Sequence, residues 1–156
     1  MRSTMLALLV LGCRPHASEP KSDPVETARP APPAPENGAP IAMLAGELSP
    51  GLQGGAVHVD AYNFSARTLS LYDVSIRYRD ATGIPLRFLE QEVVETDAAH
   101  ASFTGGSYVC KPHQWCSFTV TASVPQDAAT AQIEVIRVKA VAADGVHDDT
   151  VFPVPG

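Results

Sequence analysis

The chain has no apolar run long enough to cross a bilayer. A spanning helix needs about 20 such residues, and the longest candidate stops at Met5 to Leu11. Positive charge is also scarce: 11 Lys and Arg stand against 17 Asp and Glu, for a net charge of −6. From residue 41 onward the balance is seven against 13, with no basic cluster. That composition argues against nucleic acid as a partner and against electrostatic docking to anionic lipid. Enzyme signatures are missing as well. There is no Gly-x-Ser-x-Gly elbow, no His-Glu-x-x-His and no phosphate loop. Glu90, Glu92 and Glu95 could supply catalytic carboxylates, but 90 and 92 share one strand face and fit a solvated edge that discourages sheet pairing. The expectation is a protein that is not an enzyme and carries no cofactor. Cysteine is rare, at three residues, and an odd number leaves one thiol to explain.

The N-terminus accounts for that thiol. Arg2, the apolar run and the small Gly12 have the order of a secretory signal. Val10-Leu11-Gly12-Cys13 then resembles the lipobox of bacterial lipoproteins. The resemblance implies a signal peptide over residues 1–12, cleavage before Cys13 and a diacylglycerol on the Cys13 sulfur. It therefore implies the lipid bilayer as a partner and the cell envelope as the location. Arg14 stands where an Asp would favour inner-membrane retention, which points to the outer membrane. With Cys13 lipidated, Cys110 and Cys116 are left as a pair in an oxidising compartment, where a disulfide is expected.

Residues 14–40 hold eight Pro and five Ala in 27 positions and no apolar side chain larger than Val25. Such a segment buries too little surface to offset its ordering entropy. Extended polyproline II at ~3.1 Å per residue gives it a reach of roughly 80 Å. Residues 13–40 thus read as a lipidated Cys and a disordered tether, and residues 41–156 as a single domain.

Alternation with period two runs through that domain. Phe118, Val120, Ala122 and Val124 share one face of a strand, with Ser117, Thr119, Thr121 and Ser123 on the other. Val57, Val59 and Ala61 alternate with His58, Asp60 and Tyr62; Val74, Ile76 and Tyr78 alternate with Ser75, Arg77 and Arg79. Asp80-Ala81-Thr82-Gly83 is a turn signal, followed by a strand with Leu86 and Phe88. A further strand is expected from Ala131 to Val141. Two strands change phase: Leu69 and Leu71 give way to Tyr72, Val74 and Ile76, and Ile133 and Val135 give way to Ile136 and Val138. Each change predicts a β-bulge or a strand crossing between sheets. About seven short strands and no helical period predict an all-β, immunoglobulin-like antiparallel sandwich, with a small barrel as the other possibility.

The order of Asn63 after a long strand, Ile76-Arg77-Tyr78-Arg79-Asp80 before a turn closed by Gly83, and Pro125 between the last two strands resembles the FxLYD-type immunoglobulin-like domains of bacterial envelope proteins. The likeness covers roughly residues 55–142. It implies an accessory or interaction module with no catalytic residues. Residues 105–116 depart from that family, which usually has a plain turn there and no cysteines.

The departure holds the most distinctive stretch, Val109-Cys-Lys-Pro-His-Gln-Trp-Cys-Ser117. Five residues separate the cysteines, where a thioredoxin-like redox centre needs two. Structural zinc needs about four ligands, and Cys110, Cys116 and His113 supply three. The expectation is a disulfide across a hairpin, with a Ser107–Cys110 strand leading in. Trp115 either folds back over the hairpin base or stands out as an aromatic anchor. Lys111, His113, Gln114 and Trp115 are the candidate contact for an envelope protein partner. Two alternatives remain open at this level: a metal or small-ligand carrier using His113 and the acidic face, and an inhibitor of an extracytoplasmic enzyme using the same loop. His147, Asp148 and Asp149 are adjacent, so strand geometry turns them to different faces; a solvated turn is expected there.

Overall fold

A computed structural model describes residues 29–90 and 94–153. The expected signal peptide, the lipobox-like stretch with Cys13, and Glu92 lie outside the described residues. Nine strands are present among the described residues: β1 (Ile41–Ser49), β2 (Gly51–Asn63), β3 (Leu69–Arg79), β4 (Phe88–Glu90), β5 (Val94–Thr96), β6 (Ala99–Thr104), β7 (Trp115–Val124), β8 (Thr130–Val141) and β9 (Asp148–Phe152). Seven of them build the sandwich, as a three-stranded sheet in the order β1-β2-β7 and a four-stranded sheet in the order β6-β3-β8-β9. The short β4 and β5 pair only with each other. All pairings are antiparallel. The protein is an immunoglobulin-like β-sandwich, and its fourth sandwich strand, β6, pairs with β3 of the second sheet. No α-helix occurs among the described residues, so no helix there is long and apolar enough to cross a membrane.

The alternation decides which side chains fill the space between the sheets. Val57, Val59 and Ala61 from β2 and Phe118, Val120, Ala122 and Val124 from β7 are buried. They face Tyr72, Val74, Ile76 and Tyr78 from β3 and Val135, Val138 and Ala140 from β8. Tyr72, Phe103, Tyr108 and Phe118 form an aromatic cluster, with ring centroids 5.1–5.9 Å apart. Aromatic rings bury much apolar area for little conformational entropy, so a small core gains most from them.

Both phase changes are bulges within a sheet. The β3–β8 register slips between Leu69 and Leu71, and again between Asp73 and Val74, which pair with Arg137 and Val135. Ile136 is left between those partners and turns outward, at 45% exposure. The extra residue restores the inward face for Val138 and Ala140, both fully buried. The turn at Asp80 forms for local reasons: one carboxylate oxygen accepts the Thr82 N–H, the Thr82 hydroxyl and the Ile84 N–H at 2.7–2.9 Å, and Gly83 takes φ 86°. Those bonds hold the Asp80 carboxyl below its usual range.

Two expectations from composition and pattern need correction. Ser107 and Tyr108 lie in a short 3-10 turn, Gly106–Tyr108, rather than in a strand leading to Cys110. Two glycines in a row, Gly105 at φ 107° among them, set up that turn instead of an extended arm. Residues 29–40 also do not run free of the sandwich. The Asn37 side-chain amide donates to the Val135 carbonyl at 3.2 Å, and the Phe64 N–H donates to the Pro40 carbonyl at 2.8 Å. Arg29 reaches β2 and β7, as described below. A proline-rich segment arrives already extended, so a few specific contacts are enough to lay it along a sheet.

Candidate functional site

Cys110 and Cys116 are joined by a disulfide, with their Cα atoms 5.6 Å apart. It closes the turn ahead of β7, as the spacing predicts. Its two ends belong to different sheets. Cys116 sits in β7 opposite Ala61 of β2. Cys110 exchanges two backbone hydrogen bonds with Leu69, the first residue of β3, at 2.9 and 3.0 Å. The bond therefore ties the edge strand β7 of one sheet to the start of β3 in the other, at one end of the sandwich.

Asn63 fixes that end. Its side chain is fully buried. Its amide nitrogen donates to the Arg67 carbonyl at 2.7 Å and to the Cys110 carbonyl at 3.0 Å. Its side-chain oxygen accepts from the Ser65 N–H at 2.8 Å and the Ser65 hydroxyl at 2.7 Å. Its backbone N–H donates to the Gln114 carbonyl at 3.1 Å. One residue thus positions both the β2–β3 turn and the disulfide loop. Within the loop Pro112 precedes His113, which holds φ 52°, a pairing that suits a turn whose third residue is left-handed. Lys111, His113 and Gln114 are exposed.

Trp115 is neither under the hairpin nor at its tip. It is the first residue of β7, opposite Tyr62 of β2. Val59 and Ala61 point inward, so Asp60 and Tyr62 face out, and Ser117 and Trp115 face out beside them. Trp115 meets Tyr62 edge-on at 5.5 Å, and Tyr62 meets Phe64 edge-on at 4.9 Å. The Arg29 guanidinium lies over the indole, 3.7 Å from the ring centroid. Its Nη1 is 2.7 Å from Asp60 Oδ2, and the Trp115 Nε1–H donates to the Arg29 carbonyl at 3.2 Å. The same Asp60 accepts from the Ser117 hydroxyl at 2.9 Å, with His58 Nε2 at 3.6 Å. Chiefly through Arg29, this environment holds the Asp60 carboxyl below its usual range.

Asp60, His58 and Ser117 are residue types of a hydrolytic triad, but the links are wrong. In a triad the carboxylate orients the imidazole through one nitrogen while the other nitrogen faces the hydroxyl. Here Asp60 binds Ser117 directly, and Ser117 and Asp60 both approach His58 Nε2, at 3.1 and 3.6 Å. The disulfide takes both thiolates of the Cys110, Cys116 and His113 set, and no group of three or more His, Cys, Asp or Glu able to hold a metal occurs among the described residues. Glu90 accepts from the His100 backbone N–H at 3.0 Å, and Glu95 pairs with Arg87 at 3.1 Å, so these two carboxylates serve local structure. Asp148 and Asp149 belong to β9 rather than to a turn. They diverge, Asp148 to the Ser70 hydroxyl and Asp149 to Arg67, while His147 pairs with Asp144.

The sequence pattern singled out Lys111 to Trp115 but missed Arg29, Asp60 and Tyr62 as their neighbours. Alternation does place Asp60 and Tyr62 on the outer face; nothing local connects them to Arg29. No family model, no curated protein and no solved structure matches this chain.

Proposed function

We propose that this chain is a lipid-anchored lipoprotein of the bacterial cell envelope, seated at the outer membrane through Cys13. Its sandwich acts as a non-catalytic protein-interaction module. The contact is the end of the sandwich made by Lys111, His113, Gln114 and Trp115. The observation that carries this reading is the immobilised loop. A disulfide and a buried asparagine hold exposed polar side chains next to an outward-facing aromatic row. Such a surface loses little entropy on binding, the condition under which a small contact becomes a specific one. The lipobox-like residues and the FxLYD-like strand order support the envelope setting.

Two measurements test it. Growth of a bacterial host on an alkyne-bearing fatty acid should label the full chain and leave Cys13→Ala unlabelled; label on both, or on neither, sinks the anchor. A photoreactive residue placed at Lys111 or His113 in the full chain should crosslink one dominant envelope protein, and Trp115→Ala should weaken that crosslink without unfolding the domain. Crosslinks spread evenly over abundant proteins, or unchanged by Trp115→Ala, would sink the contact.

A further inference from the structure

The aromatic row on the outer face of β2 and β7 is already occupied. Three separate features of Arg29 are recognised there. Its guanidinium plane is taken by the Trp115 ring, at 3.7 Å from the centroid. Its charge is taken by Asp60, at 2.7 Å. Its backbone carbonyl is taken by the Trp115 Nε1–H, at 3.2 Å. Ring stacking with a carboxylate at the guanidinium edge selects arginine over lysine, whose compact ammonium has no plane to lay on the indole. The hydrogen bond to the carbonyl fixes the direction of the chain, and Pro30 then keeps the segment extended. Tyr62 and Phe64 continue the aromatic surface beyond the indole. Asp60 is itself held in place by the Ser117 hydroxyl. These contacts together have the form of a receptor site for an extended peptide.

We propose that Trp115 and Asp60, with Tyr62 packed against the indole, form a binding site for an arginine on an extended segment, which the chain fills with its own Arg29 and opens to an arginine presented by a partner. That the site exists is independent of the function above; that a partner uses it rests on that reading. The competition follows from connectivity. Arg29 is joined to the sandwich by a short stretch ending at Ile41, so its effective concentration at the site is of millimolar order. A partner peptide has to exceed that level, or the tether has to be drawn away, before Trp115 is uncovered. Occupation by Arg29 also keeps the described end of the tether on the sandwich and shortens the free spacer to the membrane.

Trp115 is the only tryptophan in the chain, so its fluorescence reports this site alone. The tether carries a second Arg-Pro pair at Arg14-Pro15, so the test variant removes both arginines, Arg14→Ala with Arg29→Ala. In the full chain this variant should show a shifted emission maximum at an unchanged urea midpoint. Titrating an end-blocked peptide of residues 29–37 should then restore the parent spectrum. The same peptide should bind the parent chain at least about tenfold more weakly, because the cis arginine competes. A peptide beginning with Ala should not bind, and a Lys peptide should bind at least about tenfold more weakly than the Arg peptide. Adding Asp60→Asn to the double variant should abolish the titration. An emission spectrum identical in the parent and the double variant overturns the occupancy. Equal binding of Arg and Ala peptides, or no binding up to millimolar peptide, overturns the site. Either failure leaves the crosslinks from Lys111 and His113 to judge the partner reading by themselves.

Discussion

The side-chain amide of Asn63 donates to the main-chain oxygen of Cys110 at 3.0 Å, across 47 residues of chain. This bond joins the end of β2 to the first half-cystine, while Cys116 is paired within the sheet that contains β2. The disulfide and the asparagine therefore act on the same few residues from two sides. The loop that carries the candidate contact has almost no freedom left.

Asn63→Ala removes a fully buried side chain that bonds two carbonyls and the Ser65 N–H. The Cys110 carbonyl keeps the Leu69 N–H and the Arg67 carbonyl keeps the Ser65 hydroxyl, so the Ser65 N–H is the group that loses its partner. One polar group left buried and unpaired costs about 1–3 kcal/mol, so a loss on the order of 2 kcal/mol is expected. Urea unfolding should show a lower midpoint with an unchanged slope. Asn63→Asp keeps the acceptor and loses both donors, so it should also destabilise. A change below about 0.5 kcal/mol in both variants would remove Asn63 from this role.

Replacing Cys110 and Cys116 by Ser opens a loop with a sequence separation of six. In the chain-entropy account this costs about 2.4 kcal/mol, a modest amount because the loop is short. The sandwich should stay folded at room temperature with a lower thermal midpoint. If the proposed contact is correct, partner crosslinking from His113 should fall by more than the loss of folded protein. Equal midpoints with and without the disulfide would show that Asn63 and the Leu69 bridge suffice to close this end.

Alkaline pH should weaken the protein through two buried phenols. The hydroxyls of Tyr72 and Tyr78 are buried without a hydrogen-bond partner among the described residues, and desolvation is the main cause that raises both groups above the ordinary value of 10.0. The raised value lies in the folded state. Below about pH 10 both states hold the proton and the contribution is constant. Above it the unfolded chain ionises first, so stability falls as pH rises through the folded-state value. Tyr72→Phe with Tyr78→Phe should flatten this alkaline limb between pH 10 and higher values, with little loss of stability at pH 7, since a buried hydroxyl without a partner is removed. An unchanged alkaline limb would place the titration elsewhere.

Much of the sandwich was legible in the residues themselves. Period-two alternation marks β2, β3, β7 and β8 because a strand at the face of a core must bury every second side chain. Broken alternation at Leu69–Tyr72 and Val135–Val138 predicts a bulge or a crossing between sheets, since either switches the buried face, and the register slips show that both are bulges. The Asp80–Gly83 turn is encoded by one carboxylate and one glycine. Strand β1 was not legible: Ile41, Ala42 and Met43 are all buried, so no alternation is present.

The amino-acid order alone pointed to the sheet content, to the pairing of Cys110 with Cys116 and to an outward position for Asp60 and for Ser117 in their own strands, because each follows from local geometry or, for the cysteines, from a resemblance that sets Cys13 aside. Tertiary structure alone decided that Cys110 bonds to Leu69 of the opposite sheet, and that Arg29 covers a tryptophan 86 residues away. Those pairings depend on where the chain returns in space, and no local propensity carries that information. The tryptophan that sequence placed in a loop became, through register with Tyr62, part of a sheet face where a guanidinium is bound.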